Sequence, residues 1–370
     1  MLHSYMRPSE MFDCVVIAGV GLVGGSIGLG IRQRFLAKKV IGLDQNPKAL
    51  EAALGMGVID EAKFNAGRWL AEADLVILAS PASTIVSSAE SLCPFLSSSC
   101  LLTDVGSVKY SITQGMAELG IERFVGGHPM AGSEKGGVQN ASAALLENAL
   151  WVITPSSATR ATDLEQIQSF VRALGASPIG IDAQKHDKLV AAISHLPYVM
   201  ATALTQLIAR DEDQEHMMML AAGGFRDVTR VASGSPRMSR DMVVGNKAEL
   251  RRIIMTMQEE LGRISSLLDD PEHLLSFAEQ SKQIRDSIPI VRRSLLPSQH
   301  ELNVAVPDVP GQLARITTAL GEANINIKDI EVLDIREHGG ALRLNFEDDV
   351  NVDKAKGVLE GLAYEVRRTG

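Results

Sequence analysis

Cysteine, basic charge and long apolar runs are scarce in this chain, and each scarcity removes a class of protein. The 3 cysteines, Cys14, Cys93 and Cys100, make neither a disulfide framework nor a paired metal-ligand spacing, so a reducing cytoplasm is expected and no metal. Lys and Arg number 36 against 45 Asp and Glu, and the net charge of -9 argues against general binding to nucleic acid or anionic membranes. An anionic substrate would need locally placed arginine or lysine. No apolar run is read as long enough to span a membrane, and the polar stretch Met1 to Glu10 lacks a signal-peptide core. What remains, 45% hydrophobic, 22% charged and only 4% aromatic, is an ordinary globular composition. At 370 residues two or three domains are expected, with ample apolar material for their cores.

The first half reads as a doubly wound α/β fold. Phe12 to Ala18 is a short apolar run of the kind that forms a buried parallel strand. It leads directly into Gly19-Val20-Gly21-Leu22-Val23-Gly24, after which Ile27 to Leu36 has helical spacing. A second strand, Val40 to Leu43, ends in Asp44. Strand, glycine turn, helix, strand and acid in this order form a dinucleotide fingerprint. The glycines permit the tight turn, the approach of the pyrophosphate and close helix packing, and the helix N-terminus offers N–H groups to phosphate. Asp44 would bind the adenosine ribose and repel a 2′-phosphate. No arginine follows in Gln45-Asn46-Pro47, so NAD is favoured over NADP.

Further strands are read at Leu75 to Ala79, Cys100 to Asp104, Arg123 to Val125, Trp151 to Ile153 and Ser177 to Ile181. Ligands in such sheets sit beyond the carboxyl ends of the strands. Ser80 and Pro81 after one strand and Ser107 after another therefore fall on the rim where cofactor and substrate should meet. Each serine is equally well placed to cap a helix. Gly126 to Gly137 delivers His128 and Glu134 to the same rim in what reads as a glycine-punctuated loop, which by itself could be an ordinary surface loop.

From Asp182 onward helical periodicity dominates, in Leu189 to Ala209, Gln214 to Ala222 and Lys247 to Leu268. Met217, Met218 and Met219 read as a helix–helix core. His195, in Ser194-His195-Leu196-Pro197, sits among apolar neighbours where a satisfied core histidine is the usual explanation. His186-Asp187, nine residues earlier, has no recognisable metal spacing. Arg226 and Arg230 share a helix face, either as a surface network with Asp227 or as a clamp for a carboxylate. After a linker at Pro297-Ser298-Gln299, the order β-α-β-β-α-β is ferredoxin-like. The expected domains are a dinucleotide-binding unit over 12–181, a helical unit over 182–296 and a small α/β module over 299–370.

These motifs together resemble one family. Gly19-x-Gly21-Leu22-x-Gly24-Gly25-Ser26, Asp104-Val105-Gly106-Ser107-Val108-Lys109, Gly127-His128-Pro129-Met130-Ala131-Gly132-Ser133-Glu134, Ser194-His195-Leu196-Pro197 and Gly224-Phe225-Arg226-Asp227-x-Thr229-Arg230 are similar to prephenate/arogenate dehydrogenases of tyrosine biosynthesis. Val309-Pro310-Gly311-x-Leu313-Ala314-x-Ile316 and Asn324-Ile325-Asn326-Ile327 resemble an ACT domain, a module that commonly binds amino acids. The resemblance implies an NAD-dependent oxidative decarboxylation of a cyclohexadienol in a homodimer, with tyrosine as effector. It implies His128 as general base, with Ser107 orienting it or touching the same hydroxyl. It also implies Arg230 on a substrate carboxylate, His195 between substrate and nicotinamide, and Glu134 paired with Arg230 or gating the cleft. Gly19, Gly21, Leu22, Val23, Gly24, Asp44, Ser80 and Pro81 would hold NAD, and Asp308, Gly311, Asn324, Ile325 and Asn326 the effector. Two departures bear on the substrate: Ser239 stands where many members have tryptophan, and Tyr198 where many have a second histidine. Other readings are a two-domain dehydrogenase acting on a β-hydroxy acid, and an amino-acid sensor with a degenerate dehydrogenase.

Overall fold

The structure is a computed structural model in which residues 11–132, 136–288, 300–307, 309–336 and 339–369 are described. They fall into two compact units that divide at Pro289.

The larger unit begins with eight strands: β1 (Phe12–Ala18), β2 (Ala37–Leu43), β3 (Glu61–Lys63), β4 (Leu75–Leu78), β5 (Leu101–Asp104), β6 (Phe124–Pro129), β7 (Leu150–Thr154) and β8 (Ser177–Gly180). They form one sheet in the order β3-β2-β1-β4-β5-β6-β7-β8. Helices α1 (Leu22–Gln33), α2 (Pro47–Gly55), α3 (Ile85–Leu92), α4 (Tyr110–Glu118) and α5 (Ala161–Ala173) alternate with them. β4 is wholly and β1 almost wholly apolar, and they and β5 are buried but for Asp13, as a sheet covered on both faces requires. One core packs Ile17, Ile27, Ile31 and Phe170; the other, across the sheet, packs Val16, Leu78, Ile85 and Ile112. β1 matches the span read from sequence to the residue.

β6 departs from expectation. It runs through His128 to Pro129 and pairs antiparallel with β7, placing His128 opposite Val152. His128 thus lies on a strand rather than in a loop. The glycines before it serve close packing: a Cβ on Gly127 would stand 2.7 Å from both the Asp104 carbonyl oxygen and Trp151 Nε1.

Helices follow: α6 (Ala183–Val190), a π turn (Ala191–His195), α7 (Leu196–Ala209), α8 (Gln214–Leu220), α9 (Gly223–Thr229), α10 (Pro236–Gly245), α11 (Lys247–Leu267) and α12 (Pro271–Ser287). The π turn is closed by Leu196 N–H donating to the Ala191 carbonyl, an i→i+5 bond. Pro197 explains its place, because a proline ring crowds the carbonyl four residues back and contributes no N–H. Residues 183–209 form a 27-residue helical run with a window of mean hydropathy 1.2, 17% of it buried. That is long and apolar enough to cross a membrane, contrary to the sequence reading, yet the run packs on α4, α9 and α11 and carries His186, Asp187 and His195. Met218 and Met219 are 62% and 74% exposed, so they do not build the internal helix core expected of them.

The smaller unit contains β9 (Glu301–Val306), α13 (Gln312–Glu322), β10 (Asp329–Arg336), β11 (Gly339–Asn345), α14 (Asp349–Gly361) and β12 (Glu365–Thr369). Its sheet order, β10-β11-β9-β12, is ferredoxin-like. Leu302, Val304, Ile316, Leu344, Phe346 and Leu359 lead its core.

Candidate active site

The cofactor end is built at the switch point of the sheet. β1 and β4 are neighbours, and the turns after them touch. Gly19 takes φ +107°, and a Cβ there would meet the Ala79 carbonyl carbon at 2.6 Å. Gly21 caps the N-terminus of α1 and has open space where a side chain would stand. Asp44 at the end of β2 accepts Val20 N–H at 2.9 Å and Asn46 N–H at 2.8 Å, which fixes its carboxylate beside the glycine turn. Free N–H groups at a helix N-terminus, an open approach and a carboxylate at the second strand end fit the pyrophosphate and ribose of NAD. Leu22, Val23 and Gly24 form the first turn of α1. Ser80, half-buried, accepts a hydrogen bond from Thr84 Oγ1 at 3.1 Å, and Pro81 opens the next turn.

Beside this end, a buried ion pair clamps the backbone before His128. Asp104, the last residue of β5, accepts Gly106 N–H at 2.9 Å and Gly127 N–H at 3.0 Å. Lys109, fully buried, donates Nζ–H to the Asp104 carboxylate and, at 2.8 Å, to the Gly127 carbonyl. Both polar groups of the Gly127 backbone are therefore held by one charge pair. Burial lowers the Lys109 ammonium pKa, while Asp104 opposes that shift. Such a pair is tolerated inside a protein because each charge is both matched and hydrogen-bonded.

His128 then meets a second histidine. Its Nδ1 lies 2.9 Å from His186 Nε2, and His186 Nδ1 lies 2.8 Å from Asp187 Oδ1. Asp187 also accepts Lys109 N–H at 2.7 Å and Tyr110 N–H at 2.9 Å. A carboxylate only accepts, so His186 carries its proton on Nδ1 and presents a lone pair at Nε2. His128 must then donate from Nδ1, which leaves Nε2 of His128 as a free base. Burial chiefly, with the Lys109 ammonium adding to it, holds the His128 pKa well below the ordinary 6.5. The ring is neutral at neutral pH and ready to accept a proton.

His195, in the π turn, is 1% exposed. In a regular helix, residues nine apart lie two and a half turns apart and face opposite ways. The wider π turn changes that register, and Asn246 bridges the two positions, touching both the Asp187 backbone and His195. Asn246, between α10 and α11, donates from Nδ2 to the Asp187 carbonyl at 2.7 Å and lies 3.2 Å from His195 Nδ1. Burial lowers the His195 pKa to about 4.

The remaining sequence candidates are dispersed. Ser107 is half-buried in the turn between β5 and α4, but the bond that orients His128 goes to His186. Arg230 is exposed on a short turn after α9 that packs on α7. Glu134 and Asp308 lie outside the described residues. In the smaller unit Gly311, at φ +91°, caps α13, and Asn324 takes φ +54°. Asn324 and Asn326 are exposed, whereas the Ile325 side chain belongs to the core. Sequence reasoning missed Asp104, Lys109, His186, Asp187 and Asn246 as site residues. The first two lay inside a quoted motif, and His186-Asp187 was weighed only as a metal pattern.

Comparison with known proteins agrees with this geometry. Three family models match in chain order: the prephenate dehydrogenase nucleotide-binding domain over residues 27–179, the prephenate dehydrogenase dimerization domain over 182–282 and the ACT domain over 300–363. Prephenate dehydrogenase of Bacillus subtilis is 34% identical over 96% of this chain and 98% of its own. The crystal structure of Aquifex aeolicus prephenate dehydrogenase with hydroxyphenyl propionate and NAD+ superimposes at a TM-score of 0.72. It has 31% identity and covers 75% of this chain and 98% of its own. Synechocystis arogenate dehydrogenase matches at a TM-score of 0.66 and 30% identity, over 75% of this chain and all (100%) of its own. With a dinucleotide cradle and end-to-end similarity of this kind, the chain belongs to the prephenate dehydrogenase family and is an NAD-dependent dehydrogenase with an appended ACT domain.

Proposed function

We propose that the chain converts prephenate to 4-hydroxyphenylpyruvate in the tyrosine pathway of the cytoplasm. The observation that carries the reading is the chain of hydrogen bonds from Asp187 through His186, which leaves Nε2 of His128 unprotonated. Bound NAD+ supplies the hydride acceptor. His128 Nε2 takes the proton of the substrate's 4-hydroxyl as the C4 hydrogen leaves with its electron pair. Loss of CO₂ from C1 makes the ring aromatic, and that gain drives the reaction. Ser107 stands on the same rim and touches the hydroxyl or the base, and His195 lines the space towards the nicotinamide. Arg230 binds a substrate carboxylate with its planar fork, and Glu134 pairs with it or gates the cleft.

A homodimer is supported by the apolar surface that the helices expose. Ile193, Leu207, Met219 and Leu220 are 68%, 71%, 74% and 74% exposed, large apolar side chains that a second subunit would take out of water. Tyrosine is the proposed effector at the ACT domain, bound by the backbone and side chains around Gly311 and Asn324.

The test is NADH formation with prephenate and NAD+, with and without tyrosine, with arogenate and NADP+ as parallel arms. Turnover of prephenate inhibited by tyrosine is expected, whereas turnover of neither substrate overturns the reading. His128→Asn should lower kcat by about 10²–10⁴-fold with NAD+ binding retained, and near-normal turnover would remove His128 from the base role.

A further inference from the structure

We propose that Asn246 is a positioning residue that fixes His195 as the tautomer protonated on Nε2, giving the site a constant N–H donor for an oxygen of substrate or cofactor. The proposal rests on the dehydrogenase reading above and deepens it.

The two amide atoms of an asparagine are told apart by their partners. Here the Asp187 backbone carbonyl, 2.7 Å away, can only accept, so the atom facing it is nitrogen. That nitrogen has a second hydrogen, and its other neighbour is His195 Nδ1 at 3.2 Å. A donor aimed at Nδ1 requires a lone pair there. A neutral ring must then carry its proton on Nε2, on the far side from Asn246. An imidazolium would set N–H against N–H, so the same contact disfavours protonation.

The asparagine is itself well anchored. It is 5% exposed, its N–H donates to the Met242 carbonyl at 3.2 Å, and its carbonyl accepts Leu250 N–H at 3.0 Å. One amide thus ties the ends of α10 and α11 to α6 and to the π turn. Of the titratable groups around the ring, Asp187 and His186 act on it from α6, and His128 on β6 lies beyond His186. Asn246 reaches it from α11 without charge. Burial together with the neighbouring histidine opposes a positive ring, and only Asp187 favours one. A histidine held this way keeps its donor through the whole working pH range, while His128 cycles between base and acid.

The experiment uses the full-length protein labelled with ¹⁵N-histidine. Two-bond ¹H–¹⁵N correlations report each ring's tautomer, with His195 assigned by the signals lost in His195→Gln. The expected result is a bare Nδ1 and a protonated Nε2 on His195, unchanged between about pH 5.5 and 8, on either side of the free histidine value. A proton on Nδ1, or a ring that titrates in this range, overturns the proposal, and this measurement needs no variant at Asn246. In Asn246→Asp a carboxylate faces Nδ1 and favours the imidazolium. The kcat/KM profile should then gain an ionisation near the ordinary histidine value of about 6.5, absent from Asn246→Ala. Asn246→Ala should lower kcat/KM about tenfold, the scale of one lost hydrogen bond. Equal losses in both variants with unchanged profiles would mean a merely structural residue and overturn the proposal. Absence of prephenate turnover in the wild type would count against the functional reading, whereas full turnover with a proton on Nδ1 would overturn the role of Asn246 alone.

Discussion

The imidazole rings of His128 and His186 meet edge to face, with centroids 5.1 Å apart, planes at 76° and Nδ1 of the first 2.9 Å from Nε2 of the second. Two histidines in series, anchored on one carboxylate, give His128 a tautomer that is decided 58 residues away in sequence, at His186. A side chain that keeps an acceptor for His128 should therefore replace His186 in part. His186→Gln should retain more activity than His186→Leu, and the leucine variant should lose about tenfold in kcat, one hydrogen bond's worth. Steady-state kinetics of the pair decide this, and equal activities would show that the bond does not orient the base.

The acid limb of the pH profile follows from the same arrangement. A base works when unprotonated, and the His128 pKa is held below 6.5, largely by burial and partly by the Lys109 charge. Activity should persist to lower pH than an ordinary histidine would allow. The double variant Asp104→Asn with Lys109→Met removes the cation without leaving its partner charged and alone. Its acid limb should move to higher pH. Lys109→Met alone should instead cost about 3–5 kcal/mol of stability, as removing one member of a buried pair does, seen as a lower Tm.

Stability should also depend on pH, with a definite sign. His195 has a folded pKa of about 4 against about 6.5 in the unfolded chain. Between these values the unfolded chain binds a proton that the folded one refuses, so stability falls as pH drops from about 6.5 to about 4. The order of magnitude for a buried ring over this window is about 3 kcal/mol. Thermal melts across this range should show the decline, and His195→Gln should make it shallower, the remainder coming from His128, whose pKa is also lowered. An unchanged slope in that variant would assign the decline to other groups.

Packing around the glycines gives a sharper test. Gly127→Ala would drive a methyl to 2.7 Å from the Asp104 carbonyl oxygen and from Trp151 Nε1, with backbone on one side that cannot yield. A loss of about 1–3 kcal/mol is expected. Because the clamp ends at Gly127, kcat should fall as well, even at temperatures where the variant is fully folded.

Arg230→Ala should weaken capture of the substrate by about 2–5 kcal/mol if its guanidinium meets a carboxylate in a closed site. The residue is exposed in the structure, so the effect should fall on KM for the substrate and leave NAD+ binding unchanged. An unaltered KM would favour a surface network with its neighbours.

What could be read from sequence was whatever is local. β1 was legible to the residue because an apolar run ends at a glycine fingerprint, and Asp44 follows from the same unit. His128 was placed on the right rim but in a loop, since Gly126-Gly127 reads as a turn when the cross-strand neighbour at Val152 is unknown. Lys109 and Asp104 stood in view inside one motif, but their task is to hold the Gly127 backbone, 18 residues beyond Lys109. His186-Asp187 was weighed for metal spacing, and its actual partners are His128 on a strand and the backbone at Lys109 and Tyr110. Met218 and Met219 looked like core because methionine commonly is, while their exposure belongs to a surface that one chain alone does not cover.

If His195 acts as proposed, the π turn at Ala191–His195 sets stability and catalysis against each other. A helix from Ala183 to Ala209 without that turn would gain regular i→i+4 bonds, and Pro197→Ala offers the N–H that Pro197 withholds. On the proposed role of His195, such a chain should melt higher and turn over more slowly. His195 would rotate away from Asn246 as the helix tightened. The proline is thus a place where evolution towards a more durable enzyme meets a barrier one residue wide.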